Sequence, residues 1–66
     1  MEKVVVSSEV FEGLEAVRQS GKYNMFDRVR VADYAGIMGF EATSDWIRQY
    51  PKEYASGIFS GFKVEE

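Results

Sequence analysis

The absence of both cysteine and histidine from a 66-residue chain is the tightest limit on what it can fold into. Without thiols there is no disulfide framework, and without thiols or imidazoles the usual structural metal sites are missing too. A chain of this size buries only about 60% of the surface that its unfolded form exposes, so packing alone has a narrow margin. What the sequence offers in compensation is rings: one Trp, four Tyr and five Phe. So small a core is not expected to enclose them all, and some are expected in an interface. The chain reads as a single domain over residues 1–66.

The same absences narrow the chemistry. His is the usual general base and Cys a common nucleophile, and neither is present. Carboxylates remain, with Glu9, Glu12 and Glu15 on the polar side of the first helical segment and Asp33, Asp45 and Glu53 scattered over later ones. No two of them share apolar neighbours in a way that would drive their pKa values apart, as acid–base catalysis requires. Ser56 and Ser60 have no base to activate them, and no motif supports a pairing with Lys52 or Lys63. A non-enzymatic protein that needs no metal or cofactor is therefore expected. The formal net charge of −3 argues against a nucleic-acid partner, because binding to phosphates draws on clustered Lys and Arg. The longest apolar run, Val4 to Val6, is far short of the roughly 20 residues of a membrane span. No secretory-type stretch occurs, and a cytoplasmic protein without a membrane partner is expected.

Helix signals punctuate most of the chain. Ser7-Ser8 offers an N-cap, Glu9 and Glu12 suit the positive end of the helix dipole, and Val10, Leu14 and Val17 recur on one stripe. Gly21 is a natural left-handed stop, so the first helix is expected over 8–20. A second is expected over 26–38, entered through Asn24-Met25-Phe26-Asp27, where either Asn24 or Asp27 can cap. Its stripe is Val31, Ala35 and Met38, with Gly39 as the stop and Phe40 folding back. Glu41 to Tyr50 carries Trp46, Ile47 and Tyr50, and Pro51 ends that helix while suiting the first position of the next. Tyr54, Ile58 and Phe62 mark a fourth helix, weakened by Gly57 and ended by Gly61. The expected fold is all-α, a compact bundle of three to four short helices, with Val4–Val6 and Phe62–Val64 able to pair as a small terminal sheet.

Two motif-like segments have simpler explanations. Val31 to Gln49 has the Ala35/Gly39 spacing of the first half of a helix-turn-helix, but the second half places Asp45 and Arg48 at core positions and leaves Trp46 and Ile47 out of phase. Met38-Gly39-Phe40 resembles the loop of ubiquitin-associated domains, and Gly39 as a helix stop already accounts for it. A longer stretch, residues 14–61, resembles a family of small bacteriophage and prophage proteins of unknown function. The resemblance rests on Asn24-Met25-Phe26-Asp27, on Val31, Ala35 and Met38-Gly39-Phe40, and on Lys52-Glu53-Tyr54 leading to Ile58-Phe59 and Gly61. It implies a phage product in a bacterial cytoplasm and carries over no catalytic residue.

Interfaces concentrate Trp, Tyr, Phe and Arg. The expected function is accordingly protein binding, with a host factor such as a defence or nucleic-acid enzyme as the partner to be modulated or inhibited. Trp46, Tyr50, Tyr54 and Phe59 are the leading anchors, with Tyr23, Phe26 and Arg28 behind them. A homodimer is expected through the excess apolar surface of the last two helices. The alternative is a small helix-turn-helix-like DNA-binding regulator.

Overall fold

A computed structural model describes residues 2–65. The elements run β1 (Val4–Val6), α1 (Ser8–Ser20), α2 (Arg28–Ile37), α3 (Glu41–Gln49), α4 (Pro51–Ser60) and β2 (Phe62–Val64). The four helices thus form the crossover between two parallel strands that bring the chain ends together, with Val4, Val5 and Val6 beside Phe62, Lys63 and Val64. The terminal pairing exists, and it is parallel.

Local chemistry sets most boundaries. The Ser7 hydroxyl accepts the Val10 N–H at 3.3 Å, and Gly21, at φ 67°, closes α1 with its N–H on the Arg18 carbonyl. At the end of α2, Gly39 takes φ 93°, its N–H bonds the Gly36 carbonyl, and the Phe40 N–H reaches back to Ala35. That is the paired reverse bonding of a Schellman stop, and it folds Phe40 onto the core as expected. Tyr50 ends α3 and begins α4, so Pro51 stands at a helix start where its missing N–H leaves no bond unmade.

The start of α2 differs from the sequence expectation. The helix begins at Arg28, and neither candidate side chain caps it. The Asn24 side-chain oxygen instead accepts the Phe26 N–H at 2.9 Å, while the Asp27 N–H bonds the Asn24 carbonyl, giving a tight Asx turn. The Asp27 carboxylate turns to Arg30 at 3.2 Å. Asn24→Ala should therefore cost more than Asp27→Ala. The first loses a turn-forming bond worth about 0.5–1.5 kcal/mol, whereas the second loses an exposed ion pair worth less than about 1 kcal/mol. Thermal melts of the two single variants check the order, and a larger loss in Asp27→Ala would restore it as the cap.

The core gathers Val6, Val10, Leu14, Val17, Val31, Ala32, Ala35, Ile47 and Tyr54 from β1 and all four helices. Burying one side chain of the size of Ile47 contributes about 1.5–3 kcal/mol. Two close approaches are set by glycine. A Cβ on Gly13 would fall inside the Thr43 side chain, so α1 and α3 meet almost backbone to side chain there. The Thr43 hydroxyl, fully buried, points its proton between the Glu9 and Val10 carbonyls, at 3.2 and 3.3 Å. A Cβ on Gly57 would likewise occupy the Phe62 ring. The residue that weakens α4 as a helix is what lets β2 pack against it. Across α2 and α3, Arg48 donates to the Ser44 hydroxyl and to Asp33, both at 2.5 Å.

Candidate functional site

The Asx turn at Asn24 decides where the exposed rings stand. It projects Phe26 outward, where its ring meets that of Phe59 at 5.3 Å between centroids. Phe59 is 73% exposed and Phe26 is 59% exposed, yet each holds the other in place. A tilted aromatic pair of this kind contributes about 0.5–1.5 kcal/mol beyond the area it buries.

Beside this pair runs a groove of about 370 Å³ between α1 and α4. Phe11 and Leu14 line it from α1, Met25 from the turn, Ile58 from α4 and Phe62 from β2. Met25 and Ile58 are the chain neighbours of Phe26 and Phe59, but Phe59 itself lines a separate recess with Glu2, Ala55, Ser56 and Ser60, and neither ring lines the groove. Its charged residues are Glu15 and Arg18, which bind each other through two hydrogen bonds. The Arg18 guanidinium holds the Glu15 carboxyl below the usual carboxylate range. The groove's size and lining are those of a site for apolar side chains.

The remaining candidate anchors serve the fold in different degrees. Tyr54 is a core residue, 2% exposed, and its hydroxyl donates to the Met25 carbonyl at 2.5 Å. Trp46 is half-buried, its ring edge-on to Phe62 at 5.9 Å and tilted over Tyr50 at 5.7 Å. Tyr50 is 43% exposed. Tyr23 is half-buried against Tyr34, edge-on at 5.3 Å, with the Lys22 ammonium over the Tyr34 ring. Arg28, also half-buried, directs its guanidinium to the Ile47 carbonyl at 3.5 Å, near the negative end of α3. The structure therefore brings Phe26 and Phe59 together on one surface and puts Tyr54 underneath it, while Tyr23 lies on another face.

A second apolar surface went unread in the sequence. Ile37 is 79% exposed and Val29 60% exposed on the outer side of α2, where Arg30 and Asp33 interrupt them. Their spacing of eight residues, off the Val31/Ala35 stripe, was the available signal.

Burial, with a smaller contribution from the Asp27 carboxylate, pushes the Tyr54 hydroxyl up to about 12. A pKa raised in the folded state stabilises the fold at every pH below the unfolded value of about 10. That contribution is lost as pH climbs through about 12, when the phenolate forms and its bond to Met25 is broken. Alkaline absorbance titration of the parent and of Tyr54→Phe should differ by one phenol with a midpoint near 12. A difference spectrum centred near about 10 would mean that the ring is solvated.

Among the described residues no group of side chains has the arrangement of a metal site, and no helix is long and apolar enough to cross a membrane. Residues 6–62 match one protein-family model, whose description is a domain of unknown function (DUF5049). No curated protein and no solved structure matches the chain.

Proposed function

For this chain, which belongs to the DUF5049 family of unknown function, we propose a non-enzymatic role: a phage-type protein that acts by binding another protein, a host factor, and modulating it. The observation that carries the reading is the Phe26–Phe59 stack standing in solvent. Two exposed rings held rigid by each other lose little side-chain freedom on docking, which is the property of an interface anchor. Burying apolar area of this kind yields about 25 cal/mol per Å². The mutual pairing of Glu15 and Arg18 means that neither charge lining the groove is unpaired when a partner covers it.

The surface of α3 favours a protein over a duplex as the target. Its outward residues include Glu41 and Asp45, and its one arginine, Arg48, is engaged by Asp33 and Ser44. Reading a major groove calls for several free Arg, Lys, Asn or Gln along that helix, and beyond Arg48 α3 offers Gln49 alone. The resemblance of residues 14–61 to phage proteins is what supports a target in the bacterial cytoplasm.

The test is affinity capture from bacterial lysate with the parent chain, Phe26→Ser and Phe59→Ser side by side. A partner retained by the parent and lost from both variants is the expected result. Identical capture by all three would remove the face from the interface. In a parallel anisotropy titration, duplex DNA should show no binding at physiological salt. Micromolar, salt-sensitive binding would move the reading to the DNA-binding alternative.

A further inference from the structure

Both strands of the terminal sheet are edge strands. We infer that the chain pairs with a second copy of itself through β2, the two copies of Lys63-Val64-Glu65 running antiparallel about a two-fold axis. The contact uses neither ring of the Phe26–Phe59 stack, so it goes beyond the proposed function and stands or falls apart from it.

The backbone identifies the free side of β2. In a parallel pair, alternate residues of a strand bond the neighbouring strand. The Gly61 carbonyl takes the Val4 N–H at 2.9 Å and the Glu65 N–H reaches the Val6 carbonyl at 2.8 Å, so Gly61, Lys63 and Glu65 serve β1. Phe62 and Val64 therefore turn their N–H and C=O groups away from β1, and no backbone partner among the described residues meets them there. Recesses open beside this edge at both ends, the α1–α4 groove at Gly61 and Phe62, and another lined by Val5, Lys63, Val64 and Glu65. Such a row of unpaired groups is a template for a further strand.

Burial favours the same edge. Val6 and Val64 are partners across the sheet, yet Val6 is 3% exposed and Val64 37%. The core stops under β2, and a strand laid beside it would cover Val64. A strand laid beside β1 gains nothing comparable, since Val6 is already buried.

Charge names the occupant and the register. Lys63 and Glu65 lie two residues apart on one face of the strand, both exposed, and neither joins an ion pair among the described residues. Read antiparallel, Lys-Val-Glu is its own complement. With the axis between the two Val64 residues, these exchange both backbone bonds, and each Lys63 stands opposite the Glu65 of the second copy. Moving the axis one residue, to Lys63, sets like charges opposite each other, which is destabilising. The same operation on β1 about Val5 sets Lys3 against Ser7, which offers no charge pair. The Ser7 carbonyl and hydroxyl are moreover already engaged by α1.

Sedimentation velocity from about 10 µM to about 1 mM reads the pairing, because so short a contact is weak and mass action must drive it. The parent's weight-average mass should rise from 7.5 kDa toward twice that value, and rise less at high salt, which screens the exposed pairs. Lys63→Glu sets glutamates opposite each other and Glu65→Lys sets lysines, so each should stay at 7.5 kDa with the parent's circular dichroism. Their equimolar mixture should recover the heavier species, because every facing pair is then opposite in charge. Val64→Pro deletes an edge N–H that β1 does not use, and it should also remain monomeric. A parent that stays at 7.5 kDa overturns the inference, and so do charge variants that associate like the parent or a mixture that recovers nothing. If the parent is monomeric and Val64→Pro loses a partner from lysate, the edge holds a segment of another protein instead. None of these variants touches Phe26 or Phe59, so the capture experiment on those rings succeeds or fails separately.

Discussion

Replacing Tyr54 by Ala is expected to remove about a third or more of the stability of the fold. The ring is the largest buried side chain in the molecule, and it joins parts of the chain that are far apart in sequence. It packs against Phe62 of β2, and its hydroxyl secures the Met25 carbonyl in the turn before α2. Truncating a buried aromatic to Ala costs about 3–5 kcal/mol. Stability of about 0.05–0.15 kcal/mol per residue gives a chain of this length roughly 3–10 kcal/mol in total. The loss therefore takes from about a third to all of what is available. Tyr54→Phe keeps the ring and forfeits the hydrogen bond, for a loss of about 0.5–1.5 kcal/mol. Urea titrations followed by circular dichroism separate the two. A Tyr54→Ala chain with an unchanged midpoint would show that the ring is not part of the core.

That residue also shows how much of the molecule could be read from the sequence. Tyr54 belongs to the Tyr54/Ile58 stripe that announced α4, and stripes point inward, so its burial was written in the periodicity. Its neighbour Phe59 lies off that stripe and stands in solvent. Treating both as exposed anchors overlooked the distinction that the helical period had already drawn. The helix ends were legible wherever a local rule sets them. Ser7, Gly21, Gly39 and Pro51 each act through bonds to residues a few positions away. The start of α2 was not, because Asn24 can cap a helix or close an Asx turn with the same atom, and the surrounding packing chooses.

The terminal strands could be suggested and no more. Three residues on each side carry too little pattern to show that they pair in parallel, since a parallel pairing depends on how the whole bundle returns the chain. The groove was invisible for a similar reason. Phe11, Met25, Ile58 and Phe62 have no relation in sequence, and only the tertiary arrangement of α1, the turn before α2, α4 and β2 brings them to one recess. Gly57 read as a simple defect in a helix because the ring that needs its hydrogen, Phe62, comes from the strand beyond Gly61.

Gly13→Ala is expected to destabilise the fold although it improves the local helix. In an open helix the change would gain roughly 1 kcal/mol in propensity. At this position the new methyl falls inside the Thr43 side chain, on the facing surface of α3. Thr43 cannot swing aside cheaply. It is branched at Cβ, and its hydroxyl is held by the Glu9 and Val10 carbonyls of α1. Either the helices separate, opening the contact around Leu14 and Ile47, or Thr43 turns and leaves a buried hydroxyl unpaired. Overpacking costs about 1–3 kcal/mol, and a buried hydroxyl without a partner costs about 1–3 kcal/mol. Either cost, less the propensity gain, leaves a net loss of up to about 2 kcal/mol. Thr43→Gly tests the cause, because it removes the hydroxyl, the methyl and the Cβ that all collide with the added group. The double variant should then be less destabilised than the sum of the two single ones by at least about 1 kcal/mol, a coupling that only direct contact produces. Strict additivity in urea titrations would place the damage of Gly13→Ala somewhere other than the α1–α3 contact.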